Sequence, residues 1–157
     1  MNRAVFAAAI ALVLAGCTTR SEPVPVPSSF PGAVPVTLSF AGGLATATLT
    51  DTPEARQFAA MLPATVDLRD VWGQAKSGRL PRTIAVESGR PTHDPVPGEL
   101  YFWPRTDVIA IYYDDLDQRV PDPGLVRLGI VDTGLADLAD AGRTVTVRIE
   151  LRAPGRD

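Results

Sequence analysis

The 157-residue chain holds one cysteine and one histidine. A lone thiol excludes an internal disulfide, and with it any zinc site that needs several thiolates. A lone imidazole leaves little material for a metal cluster or a catalytic triad. Positive charge is also scarce, since 15 Lys and Arg against 18 Asp and Glu give a net charge of −3. A binder that works by neutralising phosphates needs the opposite balance, so nucleic acid is excluded as a partner. No Gly-x-Gly-x-x-Gly, phosphate loop or nucleophile elbow occurs, and no cofactor is expected. Apolar residues, by contrast, are plentiful at 45% against 21% charged. That balance supports one domain with a true core.

The first residues read as an address. Arg3 supplies a positive start, and Ala4 to Ala15 is an unbroken apolar run. As a helix the run spans roughly 18 Å, short of the ~30 Å hydrocarbon layer, so it reads as a signal-peptide segment (1–16). It closes on Leu14-Ala15-Gly16-Cys17, which resembles the lipobox of bacterial lipoproteins. The resemblance implies cleavage before Cys17 and attachment of lipid to its thiol, and so a bilayer as partner. The chain is then expected in the bacterial cell envelope, lipid-anchored, with its domain outside the cytoplasm. Several acyl chains are needed for stable anchoring, because one binds only marginally. The plain alternative is a secreted protein with one unpaired thiol.

Residues 17–35 follow as a tether. Pro23, Pro25, Pro27, Pro31 and Pro35 deny regular pairing and favour an extended chain, with a reach of about 50 Å. From Val36 the pattern changes to alternation, and 36–152 is expected to be the domain, with 153–157 a tail. Val36, Leu38 and Phe40, then Ala45, Ala47 and Leu49, predict a hairpin turning at Gly42-Gly43. Thr52-Pro53-Glu54 starts a helix whose apolar face is Ala55, Phe58, Ala59 and Leu62. Strands are expected around Val66–Leu68, Ile84–Val86, Glu99–Trp103, Val108–Tyr113, Leu125–Val131 and Val145–Leu151. A short helix is expected at Leu135–Ala139, and Gly73–Arg82 reads as loop. Seven to eight strands with two short helices define a mainly β (α+β) protein, a closed or nearly closed barrel with helical caps.

This order of segments resembles the cyclophilin-like domain family, small bacterial proteins built on a minimal cyclophilin barrel. The likeness rests on the opening hairpin and on Asp51-Thr52-Pro53-Glu54-Ala55 running into Gln57-Phe58-Ala59-Ala60-Met61-Leu62-Pro63. It continues through Gly98-Glu99-Leu100-Tyr101-Phe102-Trp103-Pro104, Ile109–Tyr113 and Arg127-Leu128-Gly129-Ile130-Val131. The Phe-His-Arg and Phe-Met-x-Gln segments that line the prolyl isomerase pocket of true cyclophilins are missing. Prolyl isomerisation also needs a donor aimed at the proline nitrogen, and Arg82 and Arg105 are the loop arginines for that role. The resemblance therefore implies a barrel that binds a peptide, small ligand or envelope partner, with isomerase activity the alternative.

Other groupings yield less. Asp114, Asp115 and Asp117, with Asp122 nearby, invite calcium, but Arg119 and Val120 stand where that loop needs an acid or amide and then glycine. A solvated turn is the better reading, and no metal is expected. His93-Asp94 lies among prolines and reads as a rigid surface loop. Phe102, Trp103, Tyr112 and Tyr113 concentrate the aromatic content, while Trp72 lies before another loop. Alternation puts Tyr101 and Trp103 on one face and Leu100 and Phe102 on the other. The aromatics either fill a core covered on both sides or line a groove. The expected binding set is Arg82, Phe102, Trp103, Arg105 and Tyr113.

Overall fold

A computed structural model describes residues 32–152. The signal segment, the Cys17 box and nearly all of the tether lie outside the described residues, as does the tail from 153.

Eight strands and two short helices follow one another as β1 (Val34–Phe40), β2 (Gly43–Leu49), α1 (Pro53–Ala59), β3 (Ala64–Val71), β4 (Ala75–Arg79), β5 (Glu99–Trp103), β6 (Val108–Tyr112), β7 (Val126–Thr133), α2 (Leu135–Asp140) and β8 (Thr144–Leu151). They close a barrel in the order β1-β2-β7-β5-β6-β4-β3-β8, with every neighbouring pair antiparallel. Closure leaves no free edge strand among the described residues, which removes the usual route to edge-to-edge aggregation from this barrel.

Alternation decides which side chains enter the barrel. Val36, Leu38, Ala45, Ala47, Leu49, Val66, Leu68, Leu100, Phe102, Ile109, Ile111, Val147 and Ile149 all lie inside one continuous core. The hairpin turn is Ala41-Gly42 and not Gly42-Gly43, because Phe40 pairs with Gly43 and Gly42 takes the positive φ of 94°. β1 begins at Val34, and the carbonyl of Pro35 accepts the Arg152 N–H.

The helices close opposite ends. α1 joins the Leu49 end of β2 to the Ala64 end of β3, and drives Phe58 into the core. Its N-terminus is capped by the Thr52 hydroxyl, which accepts the Ala55 N–H, and Pro53 occupies the first turn, where no N–H is needed. α2 joins β7 to β8 at the other end and contributes Leu138.

Two further expectations fail here. Ala75–Arg79 is strand β4, although Gly73–Arg82 reads as loop. Its inward positions are Lys76 and Gly78, so no apolar alternation marks it. Lys76 is buried by an ion pair with Asp70, and a Cβ on Gly78 would come within 2.4 Å of the Asp67 carbonyl. Ile84–Val86, expected as a strand, is irregular. Ile84 enters the core, while the Gln57 side-chain amide both donates to and accepts from Ala85 at 2.9 Å. One glutamine thus satisfies the backbone groups that a neighbouring strand would have taken.

Candidate functional site

Both faces of the β5–β6 hairpin are covered, which resolves the aromatic question. Leu100, Phe102, Ile109 and Ile111 face the barrel interior. Tyr101, Ala110 and Tyr112 face outward, where they form a second apolar cluster with Ala75 and Leu125. Tyr101 and Tyr112 meet edge to face at 5.7 Å between ring centroids. Burial raises the hydroxyl pKa of both tyrosines, and for Tyr101 the Glu99 carboxylate it donates to adds to the rise. Glu99 is held in turn by Arg127 at 2.8 Å.

A groove of about 440 Å³ opens on this outer face. Register explains why it exists. Ala75 pairs with Tyr112, Ser77 with Ala110, and Arg79 with Val108, which pairs on its other side with Trp103. The outward positions at the centre are therefore the small residues Ala75, Ser77 and Ala110. Larger groups, Tyr112 and Trp103, stand at the two ends, and the middle is left hollow.

One wall is the segment after β6. Gln118, Arg119, Val120 and Pro121 line the groove, with Leu125 behind them. This wall is strapped to the 92–93 segment. Thr92 and Leu125 exchange two N–H···O bonds at 2.8 Å, and the Val120 N–H donates to the His93 carbonyl at 2.8 Å. Nδ1 of His93 donates to the Val120 carbonyl at 2.8 Å, since a carbonyl can only accept. The imidazole lies 3.6 Å from Asp122, so its carboxylate neighbour is not the adjacent Asp94. Asp114, Asp115 and Asp117 form an exposed turn in which side-chain oxygens accept the following backbone N–H groups.

Two donors in the lining, Trp103 Nε1 and Thr106 Oγ1, are closed from solvent and have no hydrogen-bond partner among the described residues. Each unsatisfied group costs about 1–3 kcal/mol. The opposite rim is Trp72, in the β3–β4 turn, so both tryptophans of the chain line this one groove.

The expected binding set is dispersed by the fold. Trp103 lines the groove. Phe102 is completely buried in the barrel core and forms no groove wall, because alternation turns it inward beside Ile109. Arg105 is exposed in the β5–β6 turn, outside the lining. Arg82 belongs to a separate hollow of about 210 Å³ beside α1, with Gln57, Ala60, Met61 and Thr83, where it donates to the Ala60 carbonyl. Tyr113 donates to Asp70 at 2.6 Å, at the barrel end and not in the groove. Burial, and then Asp70, push its hydroxyl up to about 12. The guanidinium at the groove is Arg119. Sequence reasoning named Trp72 and Tyr112 among the aromatics but left them out of the binding set, and it missed Ser77 and Ala110, which only the β4–β6–β5 register brings beside Tyr112 and Trp103.

The site is therefore an apolar hollow on the outside of a closed barrel, without a nucleophile–base pair. Residues 38–150 match the model of the cyclophilin-like family, and the chain belongs to that family. The fold is similar to the solution structure of a hypothetical protein from Archaeoglobus fulgidus, with 17% identity and a TM-score of 0.61. That similarity covers 78% of this chain and 98% of the archaeal one, and it extends to the fold alone. No curated protein matches the chain.

Proposed function

We propose that the chain is a lipid-anchored protein of the bacterial cell envelope whose barrel binds a small apolar molecule in the outer groove. The observation that carries the binding is the hollow itself: about 440 Å³, walled by Val71, Val108, Tyr112 and Val120, with a tryptophan at each end. Elsewhere the outer barrel surface carries polar pairs, the Thr46–Thr133, Thr48–Asp132 and Thr146–Asp67 hydrogen bonds, beside exposed apolar side chains such as Leu44 and Ile130. A concave apolar site with a few polar groups is the usual form of a small-molecule pocket. Titration with N-phenyl-1-naphthylamine tests this, with enhanced probe fluorescence that saturates as the expected result. Absence of saturable binding sinks the reading.

Anchoring rests on the apolar run and the Cys17 box. Cys17→Ser removes the chain's single thiol and is expected to release the protein from the membrane fraction. Retention after salt and carbonate washing would overturn the lipid anchor.

A second reading is a prolyl isomerase with a rebuilt pocket, favoured by Arg119 at the rim of an apolar cradle. Neither Arg82 nor Arg105 lines that cradle. A proline-peptide assay distinguishes the two. The binding-protein reading expects the uncatalysed rate, and turnover abolished by Arg119→Ala would promote the enzyme.

A further inference from the structure

Trp72 carries two unfavourable features at once. It is 72% exposed, the highest value among the large apolar side chains of the described residues. Its φ of 55° lies in the left-handed region, where a bulky side chain is strained. Neither feature helps close the barrel, since glycine or asparagine would take this backbone with less strain. Yet the turn is held firmly. Asp70 accepts the Gly73 N–H at 2.9 Å through one oxygen, and Lys76 Nζ at 2.9 Å and the Tyr113 hydroxyl at 2.6 Å through the other. Strain that the surroundings over-determine points to function.

We infer that Trp72 is a preset aromatic platform, and that the groove takes an uncharged, flat, unsaturated ring compound. The inference rests on the reading of the groove as a binding site. Flatness follows from the π faces available: Trp72 at one end, Trp103 at the other, and Tyr112 in the lining. Length follows from register. Four residue steps along β4 separate the Ala75–Tyr112 row beside Trp72 from the Arg79–Val108–Trp103 row, about 13 Å at the rise of a strand. A two-ring compound fits that span. Neutrality follows from the lining, in which Arg119 is the single charged residue, exposed on the wall segment between Asp117 and Asp122. A charge on the floor of Ala75, Ser77 and Ala110 would lose its hydration without gaining a counter-ion there, because Arg119 stands on the exposed wall.

The test is titration of the full chain with 2-acetylnaphthalene and with its anionic near-isostere 2-naphthoate, followed by the two indole N–H resonances. The neutral compound is expected to shift both resonances and to bind at least about tenfold more tightly than the anion. Trp72→Asn is expected to weaken 2-acetylnaphthalene by about tenfold, while the melting temperature stays level or rises as strain is relieved. Trp72→Phe restores most of the affinity. A lowered melting temperature with binding intact would make Trp72 structural and overturn the inference, as would equal binding of the anion. Ser77→Phe separates the two levels, because it fills the floor between Ala75 and Ala110. If Ser77→Phe leaves binding unchanged, or the wild type binds neither compound, the groove reading itself falls. If Ser77→Phe abolishes binding and Trp72→Asn does nothing, only the platform falls.

Discussion

Glu54→Gln is expected to cost the protein about 3 kcal/mol at pH 7, although the change removes no carbon atom. Glu54 is fully buried, and its Oε1 accepts the backbone N–H groups of Glu87, Ser88 and Gly89 at 2.7–2.9 Å. Burial alone would raise this carboxyl. The amide donors of Ser88, Gly89, Glu54 itself and Glu87 outweigh burial and bring it from 4.5 down to about 2. At 1.36 kcal/mol per pH unit, that preference for the charged form is worth about 3 kcal/mol. Glutamine imitates the protonated acid: it keeps one acceptor, loses the charge, and sets an NH₂ where Oε2 has no partner among the described residues.

The sign follows from the lowered pKa. The stabilisation is complete above the unfolded-state value near 4.5 and disappears as pH falls toward about 2. Denaturant unfolding of the two proteins should therefore differ most at pH 7, and the curves should converge between about pH 4.5 and 2. A gap that stays constant with pH would show that the carboxylate charge is not what holds the 87–89 segment. Crowding adds a second constraint there, because a Cβ on Gly89 would lie 2.4 Å from Val126 Cγ1 and 3.3 Å from Glu54 Cδ.

Glu54 also marks the limit of what was legible in the sequence. As an acid in the first helical turn it is readable from Thr52-Pro53-Glu54, and α1 forms where that signal stands. Its partners lie 33 to 35 residues further on, and no local pattern points to them. The same division runs through the fold. Strands with apolar inward positions, such as Val145–Val147–Ile149, follow directly from alternation. β4 escapes, since its inward positions are a lysine and a glycine. The groove escapes more completely. Ala75, Ser77 and Ala110 are unremarkable singly, and they make a hollow only when β4 and β6 bring them side by side. Phe102 and Trp103 are adjacent in sequence, yet pleating sends one to the core and the other to the groove.

Lys76→Ala is expected to be as damaging, at about 3–5 kcal/mol, for a different reason. Lys76 is 1% exposed, and its stem lies within the end of the barrel that α2 closes. Nζ donates to Asp70 and to the Gly142 carbonyl just beyond α2, and lies 5.6 Å from the Tyr113 ring. Alanine removes the packed stem and leaves both acceptors without their cation. Lys76→Met separates these effects by keeping a stem of similar bulk. Asp70 is 23% exposed and keeps its bonds from Tyr113 and Gly73, so methionine should lose only about 1–3 kcal/mol. The Asp70 carboxyl sits below its usual 3.8 because the Tyr113 hydroxyl, against burial, favours the charged form, with Lys76 adding a bond and a charge. Without Lys76 that carboxyl should titrate higher. Its share of stability, present above about pH 4 and lost as pH falls through the lowered folded value, should shrink. Unfolding measurements at pH 7 and pH 3, with a carboxyl carbon titration of Asp70, check both steps. A loss under about 1 kcal/mol for alanine, or an unmoved Asp70 titration in the methionine variant, would show that Lys76 fills the barrel end without holding it.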